Sequence, residues 1–484
     1  MNLVDDPWIP VRDTAGGRAL VGLADALGRA GEWSGLDCPD ALEGRALGRL
    51  LLSVVYRVVH APGAGTSWER LAGRGLPVDG LLSYLRRWRG RFDLGRFLQY
   101  EVSSASRSGA GPVMDRLVLV DQDTRALPAS LDGAAAARAL LKRLLWDPSG
   151  IRTGLVGDPM SARGRSMPIG PAYLAAVPTV LVQGPTLEDT LVLNLPDPAP
   201  GAGREETPAW EDDPGRPRGS YEPGQVGAGR LLVWPSRRMR LEAGPGGRVV
   251  GALLANGDRL PVGGPHLAGV EQHALWRTGE SGTGPRPAWA ATAPWTALLD
   301  QGGPRPVGVA RLLARPDLVP DRVVVTALVP LLGSHAARIE DVATRQVVVA
   351  AAGLRDRLDA LEVLDDAVAR LAGLLARARA RATTPVRLGD ADPARALRRR
   401  AQAADAERDH LAPTVQAWLA GADLDAAALE AWATDLVARV AAPGPALGRG
   451  LPPVDLAAAA RRTWRATAAT LGPALDGTPP AGVP

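Results

Sequence analysis

The spacing of hydrophobic positions changes character along this chain. Leu47, Leu50, Leu51, Val54, Val55 and Val58 fall at i, i+3, i+4, i+7, i+8 and i+11, which is one face of a helix over residues 47–60. Residues 134–146 make a second helical stretch. Elsewhere in the first two thirds of the chain the apolar runs are short and β-like. Residues 8–11 read as an opening strand, and 177–182, 191–195, 231–234, 239–241 and 249–254 read as further strands. Asn256-Gly257, just after the last of these, is a hairpin-turn signal. Residues 196–225 and 279–286 are rich in Gly and Pro and read as exposed loops.

From about residue 340, with a stripe that begins near Val342, the period becomes helical. Leu354, Leu358, Leu361, Val368, Leu371 and Leu375 form one stripe. Leu397, Ala401, Ala404, Leu411, Val415 and Leu419 form a second, with Pro413 as a possible kink. Leu429, Trp432, Leu436 and Val440 form a third, and Leu456, Ala460, Trp464 and Leu471 a fourth. Four such helices with loops of moderate length predict a four-helix bundle. The expected fold is therefore α+β: an N-terminal mixed α/β globular domain, 1–338, followed by a C-terminal four-helix bundle, 339–484.

Composition adds mainly exclusions. The 484 residues suggest two to four domains at about 150 residues each. Lys142 is the single lysine among 56 basic residues, so arginine carries the positive charge. A net charge of +4 does not identify a nucleic-acid binder, and local clusters must make that case. Two clusters flank the turn between the first two bundle helices: Arg377, Arg379, Arg381 and Arg387, then Arg395, Arg398, Arg399 and Arg400. They could neutralise phosphates at one end of the bundle, or form a solvated face.

Cys38 stands alone, which excludes an internal disulfide and a cysteine-cluster zinc site. The five histidines are scattered without metal-ligand spacing, and Asp409-His410 reads as a polar helix face. Lys142 lies in no Gly-Lys-Ser/Thr sequence, so a Walker A loop is absent. No Gly-x-Ser-x-Gly elbow occurs, and the carboxylate pairs Asp212-Asp213 and Asp365-Asp366 read as loop and helix-surface charges. The chain is thus expected to be no enzyme, to need no cofactor, and, lacking a leader pattern or membrane-length apolar run, to be cytoplasmic.

The segment Trp146-Asp147-Pro148-Ser149-Gly150-Ile151-Arg152-Thr153-Gly154 carries the most specific candidate chemistry. Its glycines, with Ser149, Arg152 and Thr153, could bring a backbone close to a phosphate or a groove. A long turn closing the preceding helix is the plain alternative.

Several segments together carry a family resemblance. The opening Met1-Asn2-Leu3-Val4-Asp5-Asp6-Pro7-Trp8-Ile9-Pro10-Val11-Arg12 closely resembles the start of the CasA family, the large subunits of type I-E CRISPR Cascade surveillance complexes. Phe97-Leu98-Gln99, the glycine segment, Thr190–Leu195, Trp210, Trp234-Pro235-Ser236-Arg237-Arg238 and Ala406-Glu407-Arg408 follow in the family's order. The resemblance spans nearly the whole chain.

It implies a subunit that inspects duplex DNA for a protospacer-adjacent motif through the minor groove. Such a subunit helps open the duplex for guide-RNA pairing and offers a docking surface to a helicase–nuclease. The implied partners are other Cascade subunits, the guide RNA handle, double-stranded target DNA and that helicase–nuclease, with no membrane. The family's glycine loop maps to Ser149, Gly150, Ile151 and Gly154. Its wedge, usually a Gln after a small polar residue, maps to Ser334 and His335 within Gly333-Ser334-His335-Ala336. A basic groove contact on a β-hairpin maps to Arg259. The family's aromatic loop near the RNA handle falls at 121–130, which here lacks aromatics. Two further readings remain: a structural adaptor of a variant complex with weakened motif reading, and a hydrolase in the α/β part.

Overall fold

The computed structural model describes residues 1–355 apart from 62–65, 101–112, 120–125, 155–160, 163–164, 167–168, 200–203, 205, 263–264, 280–281, 286, 288–289, 291–292, 294 and 300–303; beyond 355 it describes isolated positions from 358 to 373 and Arg462. The chain divides into two compact units, Met1–Ala291 with Gly302–Gln346, and Thr292–Gln301 with Val347–Pro484.

The first unit opens on a small antiparallel sheet, β1 (Ile9–Asp13), β2 (Arg18–Val21) and β3 (Trp33–Leu36), in the order β2-β1-β3. The motif-bearing N-terminus is structural here. Asn2 donates to Asp93 at 2.7 Å and accepts from the Val4 amide, and the Trp8 indole donates to the Leu3 carbonyl. Helix α1 (Leu23–Gly28) follows, then α2 (Ala41–Val59), the long predicted helix. The Asp40 carboxylate caps α2 by accepting from the Leu42 and Glu43 amides. Its leucine and valine face is buried, and α4 (Val78–Trp88), α5 (Gly133–Trp146), α6 (Leu187–Asn194) and α7 (Ala228–Leu232) pack around it. Helix α3 (Trp68–Arg74) lies against α6.

A five-stranded sheet runs β5-β6-β4-β9-β8, from β4 (Arg152–Thr153), β5 (Ser161–Ala162), β6 (Arg165–Ser166), β8 (Arg237–Ala243) and β9 (Val249–Asn256). β4 pairs parallel to β9 through Thr153 and Ala255 and antiparallel to β6. A third sheet, β13-β12-β7, uses β7 (Thr179–Gln183), β12 (Arg322–Leu332) and β13 (Ile339–Ala350). Among the described residues no helix is long and apolar enough to cross a membrane.

Several expectations need correction. Residues 191–195 are helical, not a strand. α6 is nucleated upstream by a reciprocal cap between Thr186 and Asp189, and Asn194 turns inward to hold the Val182 backbone. Residues 231–232 end α7 rather than begin a strand. The β8–β9 hairpin turns at 244–248, where Gly246 and Gly247 take positive φ, and Asn256-Gly257 instead ends β9. Residue 279 and residues 282–285 are strand rather than open loop, since β10 (Trp276–Gly279) and β11 (Gly282–Pro285) pair antiparallel.

The described residues of 196–225 are mostly irregular, but several are pinned in the interior rather than exposed. Trp210 is buried against Phe92, and Asp212 is gripped by Arg230 at 2.7 Å and by Arg216 at 2.8 Å. Asp212 is therefore an interior ion-pair partner, not a surface charge. Asp365 is likewise buried, accepting from the amide and hydroxyl of Thr296. Residues 339–350 form a strand, so the helical stripe starts after β13 and not near Val342. Beyond it Leu354 and Leu361 are buried while Glu362, Asp366 and Arg370 are exposed, the alternation the stripe predicts. The remainder of the expected four-helix bundle lies outside the described residues.

Candidate nucleic-acid interface

Helix α5 delivers the glycine loop. Its last residue, Trp146, is fully buried and donates from its indole to the Leu42 carbonyl, so the loop starts from a point fixed on α2. Asp147 follows with no exposed surface and anchors three arginines. Arg152 donates to its Oδ2 from Nε and Nη2, at 3.0 and 2.8 Å. Arg237, fully buried on β8, donates to the same oxygen and also to the Pro148 and Gly170 carbonyls. Arg143 Nε stands 2.8 Å from Oδ1 as an ion contact. Burial acts to raise the Asp147 carboxyl, yet the three guanidinium groups, Arg237 foremost, hold it below the usual carboxylate range. One carboxylate facing three cations leaves two positive charges in excess at the base of the loop.

This clamp shapes the loop. Arg152 Nη2 also donates to the Pro148 carbonyl, closing the turn on itself at 2.7 Å. Its guanidinium lies where a side chain at Gly150 would go: a Cβ there would stand 3.1 Å from Arg152 Cζ and nearer still to Nη1. Ile151, next along, is 54% exposed and forms the apolar tip. Gly154 is buried just past β4.

The loop also has a structural neighbour. The Ser149 amide donates to the Ala336 carbonyl at 2.8 Å. Ala336 belongs to the apex between β12 and β13, where the Ala336 amide donates to Gly333 and the Ala337 amide to Ser334. His335 and Ala336 both adopt left-handed backbone, with φ of 55° and 53°. Non-glycine residues pay about 1–2 kcal/mol each in that region, so the apex is a strained, tightly specified turn. Ser334 and His335 are exposed on it. The fold thus joins Ser149, Gly150 and Ile151 to Ser334 and His335, segments far apart in sequence.

The other expected contacts are not part of this cluster. Arg259 is exposed but is not on a hairpin: β9 has ended, and the Arg259 backbone exchanges bonds with Gly219 and Tyr221. Arg377, Arg379, Arg381, Arg398, Arg399 and Arg400 lie outside the described residues, as do 121–125. Asp147 and Arg237 are the residues that sequence reasoning did not single out for this site, and the role of Arg152 as the clamp on Asp147 was not visible either. A buried acid after a helix, followed five positions on by an arginine, was the available signal; its third partner is 90 residues away.

Comparison with known proteins agrees with this architecture. The model of the family "CRISPR-associated protein Cse1" matches residues 2–442. A curated relative, CRISPR-associated protein CasA/Cse1 of Thermus thermophilus, is 34% identical over 277 residues, 52% of this chain and 51% of the relative, so the match spans about half the length of that protein. The crystal structure of Thermobifida fusca Cse1 shares the fold with a TM-score of 0.75 at 24% identity, covering 98% of each chain. A chain of a CRISPR RNA-guided surveillance complex superposes with a TM-score of 0.63 at 20% identity, over 98% of this chain and 99% of its own. The chain belongs to the Cse1 family of CRISPR-associated proteins, also called CasA.

Proposed function

We propose that this chain is the DNA-sensing large subunit of a type I-E Cascade complex, acting in the cytoplasm without catalysis of its own. It takes up the protospacer-adjacent motif in duplex DNA from the minor groove, promotes opening of the neighbouring base step, and presents a docking surface for a helicase–nuclease. Guide-RNA pairing then reads the remaining sequence. The observation that carries this reading is the Ser149–Ala336 hydrogen bond, which sets an exposed apolar loop tip beside a strained apex bearing an exposed ring. A minor groove about 6 Å wide admits such narrow elements edge-on, and apolar or flat side chains inserted there unstack a step at roughly a few kcal/mol. Ser149, Gly150, Ile151 and Gly154 contribute the reading loop, and Ser334 and His335 the wedge. The arginines at 377–400 add sequence-independent attraction.

The test uses the assembled complex with guide RNA and a fluorescent base analogue beside the motif. His335→Ala should slow opening of a fully paired target while leaving binding to a target pre-melted at that step nearly unchanged. Equal losses on both substrates would make His335 structural, and a parent complex that assembles but shows no motif dependence would leave an adaptor.

A further inference from the structure

Strand β4 continues the glycine loop, and its Thr153 sits between two arginines that the proposed motif reading does not use. Arg116, on the short helical turn Met114–Arg116 packed on β9, donates from Nη1 to Thr153 Oγ1 at 3.2 Å. Arg165 on β6 is the direct antiparallel partner of Thr153. Directly opposite residues share a face of the sheet with Cβ atoms about 5 Å apart, so Arg165 rises beside the same hydroxyl. Arg165 is exposed and Arg116 half-buried.

Several arginines of this unit are matched to acids: Arg49 to Glu271, Arg57 to Glu211, Arg230 to Asp212, and Arg143, Arg152 and Arg237 to Asp147. Among the described residues neither Arg116 nor Arg165 has an ion-pair partner. Asp147, the buried acid at the base of the glycine loop, already faces three arginines. Asp115, beside Arg116, exerts its field on Arg143. The Thr153 hydroxyl accepts from Arg116 and keeps its own hydrogen to donate.

We propose that Arg116, Thr153 and Arg165 form a phosphate site that holds one backbone phosphate of duplex DNA adjoining the glycine loop. The site rests on the DNA-sensing reading and extends it by a contact that positions the duplex without reading a base. Two guanidinium groups and one hydroxyl donor suit a phosphodiester, whose two free oxygens accept only. Its strand leads straight from Ile151, so the phosphate lies on the flank of the loop tip rather than beneath it.

The decisive measurement is the salt dependence of binding by the assembled complex, on duplexes with and without the motif. Arg165→Gln touches an exposed side chain and should fold as the parent does. It should weaken both duplexes by the same factor and flatten the slope of log affinity against log salt by about one unit, one lost phosphate. Arg116→Gln should act alike, and the double variant should lose little more, because both serve one phosphate. Thr153→Val, which keeps the branched shape, should weaken both duplexes a few-fold. A methylphosphonate at the contacted position should reproduce the loss in the parent and add none in Arg165→Gln. An unchanged salt slope, a loss confined to motif-bearing duplex, or a defect seen only in guide-RNA loading would overturn the site. A parent complex without motif-dependent binding would instead remove the reading on which it rests.

Discussion

Gly150 is best understood through Arg152. The guanidinium that closes the loop onto Asp147 and Pro148 occupies the space a side chain at Gly150 would need. Gly150→Ala and Arg152→Ala should then disturb the same thing. Each should weaken motif-bearing duplex by roughly tenfold, the scale of a lost charge-assisted hydrogen bond. Together they should cost no more than Arg152→Ala alone, a coupling readable from a double-mutant cycle of affinities in the assembled complex. Additive losses would assign the bare Cα of Gly150 to DNA approach instead. The sequence marks the glycines plainly, since three within a short span after a helix are visible. It does not show that Asp147 is buried or that Arg237 reaches it, because that partnership is made by β8 across the fold. Cys38 carries a further feature that composition does not show: burial and the nearby Glu43 push its thiol up to about 12, which keeps it protonated.

Among the elements, clean periods were legible and short apolar runs were not. The i, i+3, i+4 face of α2 and the runs of β7 and β9 formed as read. Leu191–Leu195 has strand-like composition, and five apolar-rich residues cannot decide between helix and strand by period. The deciding information lay just upstream, in the Thr186–Asp189 cap. α7 was hidden for a related reason: all its residues are buried, including Arg230 on Asp212, so no polar face betrays the turn. The β12–β13 apex, which the resemblance assigns to the wedge, is a hairpin end with two left-handed residues, a geometry that no period in the sequence announces. That strain is measurable. Ala336→Gly removes a Cβ conflict and should raise unfolding free energy by up to about 1 kcal/mol in urea titration, less the entropy glycine returns to the unfolded chain. Ala336→Val, branched at a positive φ, should lower it by about 1–2 kcal/mol. The same pair of variants should move motif binding in parallel with stability if the apex geometry holds the loop.

For the molecule as a whole, one buried polar hub ties distant segments together. Arg49, in the middle of α2, makes a two-pronged pair with Glu271 at 2.9 and 2.8 Å, and donates to the Leu231 and Leu232 carbonyls at the end of α7. It also lies 3.1 Å from His273 Nδ1, while His273 Nε2 faces the Asn194 carbonyl at 2.7 Å. Those contacts fit a neutral ring that donates from Nε2 and accepts at Nδ1. Burial, and secondarily Arg49, lower the His273 pKa to about 4. The unfolded ring titrates near 6.5, so unfolding takes up a proton between these values. Stability is therefore complete above about pH 6.5 and declines as pH falls toward 4, by an amount on the order of 3 kcal/mol from this residue. Urea midpoints across that window should show the decline, and His273→Gln should flatten it even though it lowers stability at pH 7. A slope unchanged by that substitution would place the acid sensitivity elsewhere.

The single backbone bond from Ser149 to Ala336 has a consequence for the order of events on DNA. If engagement of one element alters this bond, the equilibria of the two elements are coupled. Whatever factor motif occupancy at the loop adds to engagement of the apex, engagement of the apex returns to the loop. If the proposed function holds, reading and opening are then reciprocal, and a duplex that gives way at the step beside the motif feeds its gain back into motif affinity. Discrimination between right and wrong motifs would consequently be larger on DNA that is ready to open than on DNA held shut.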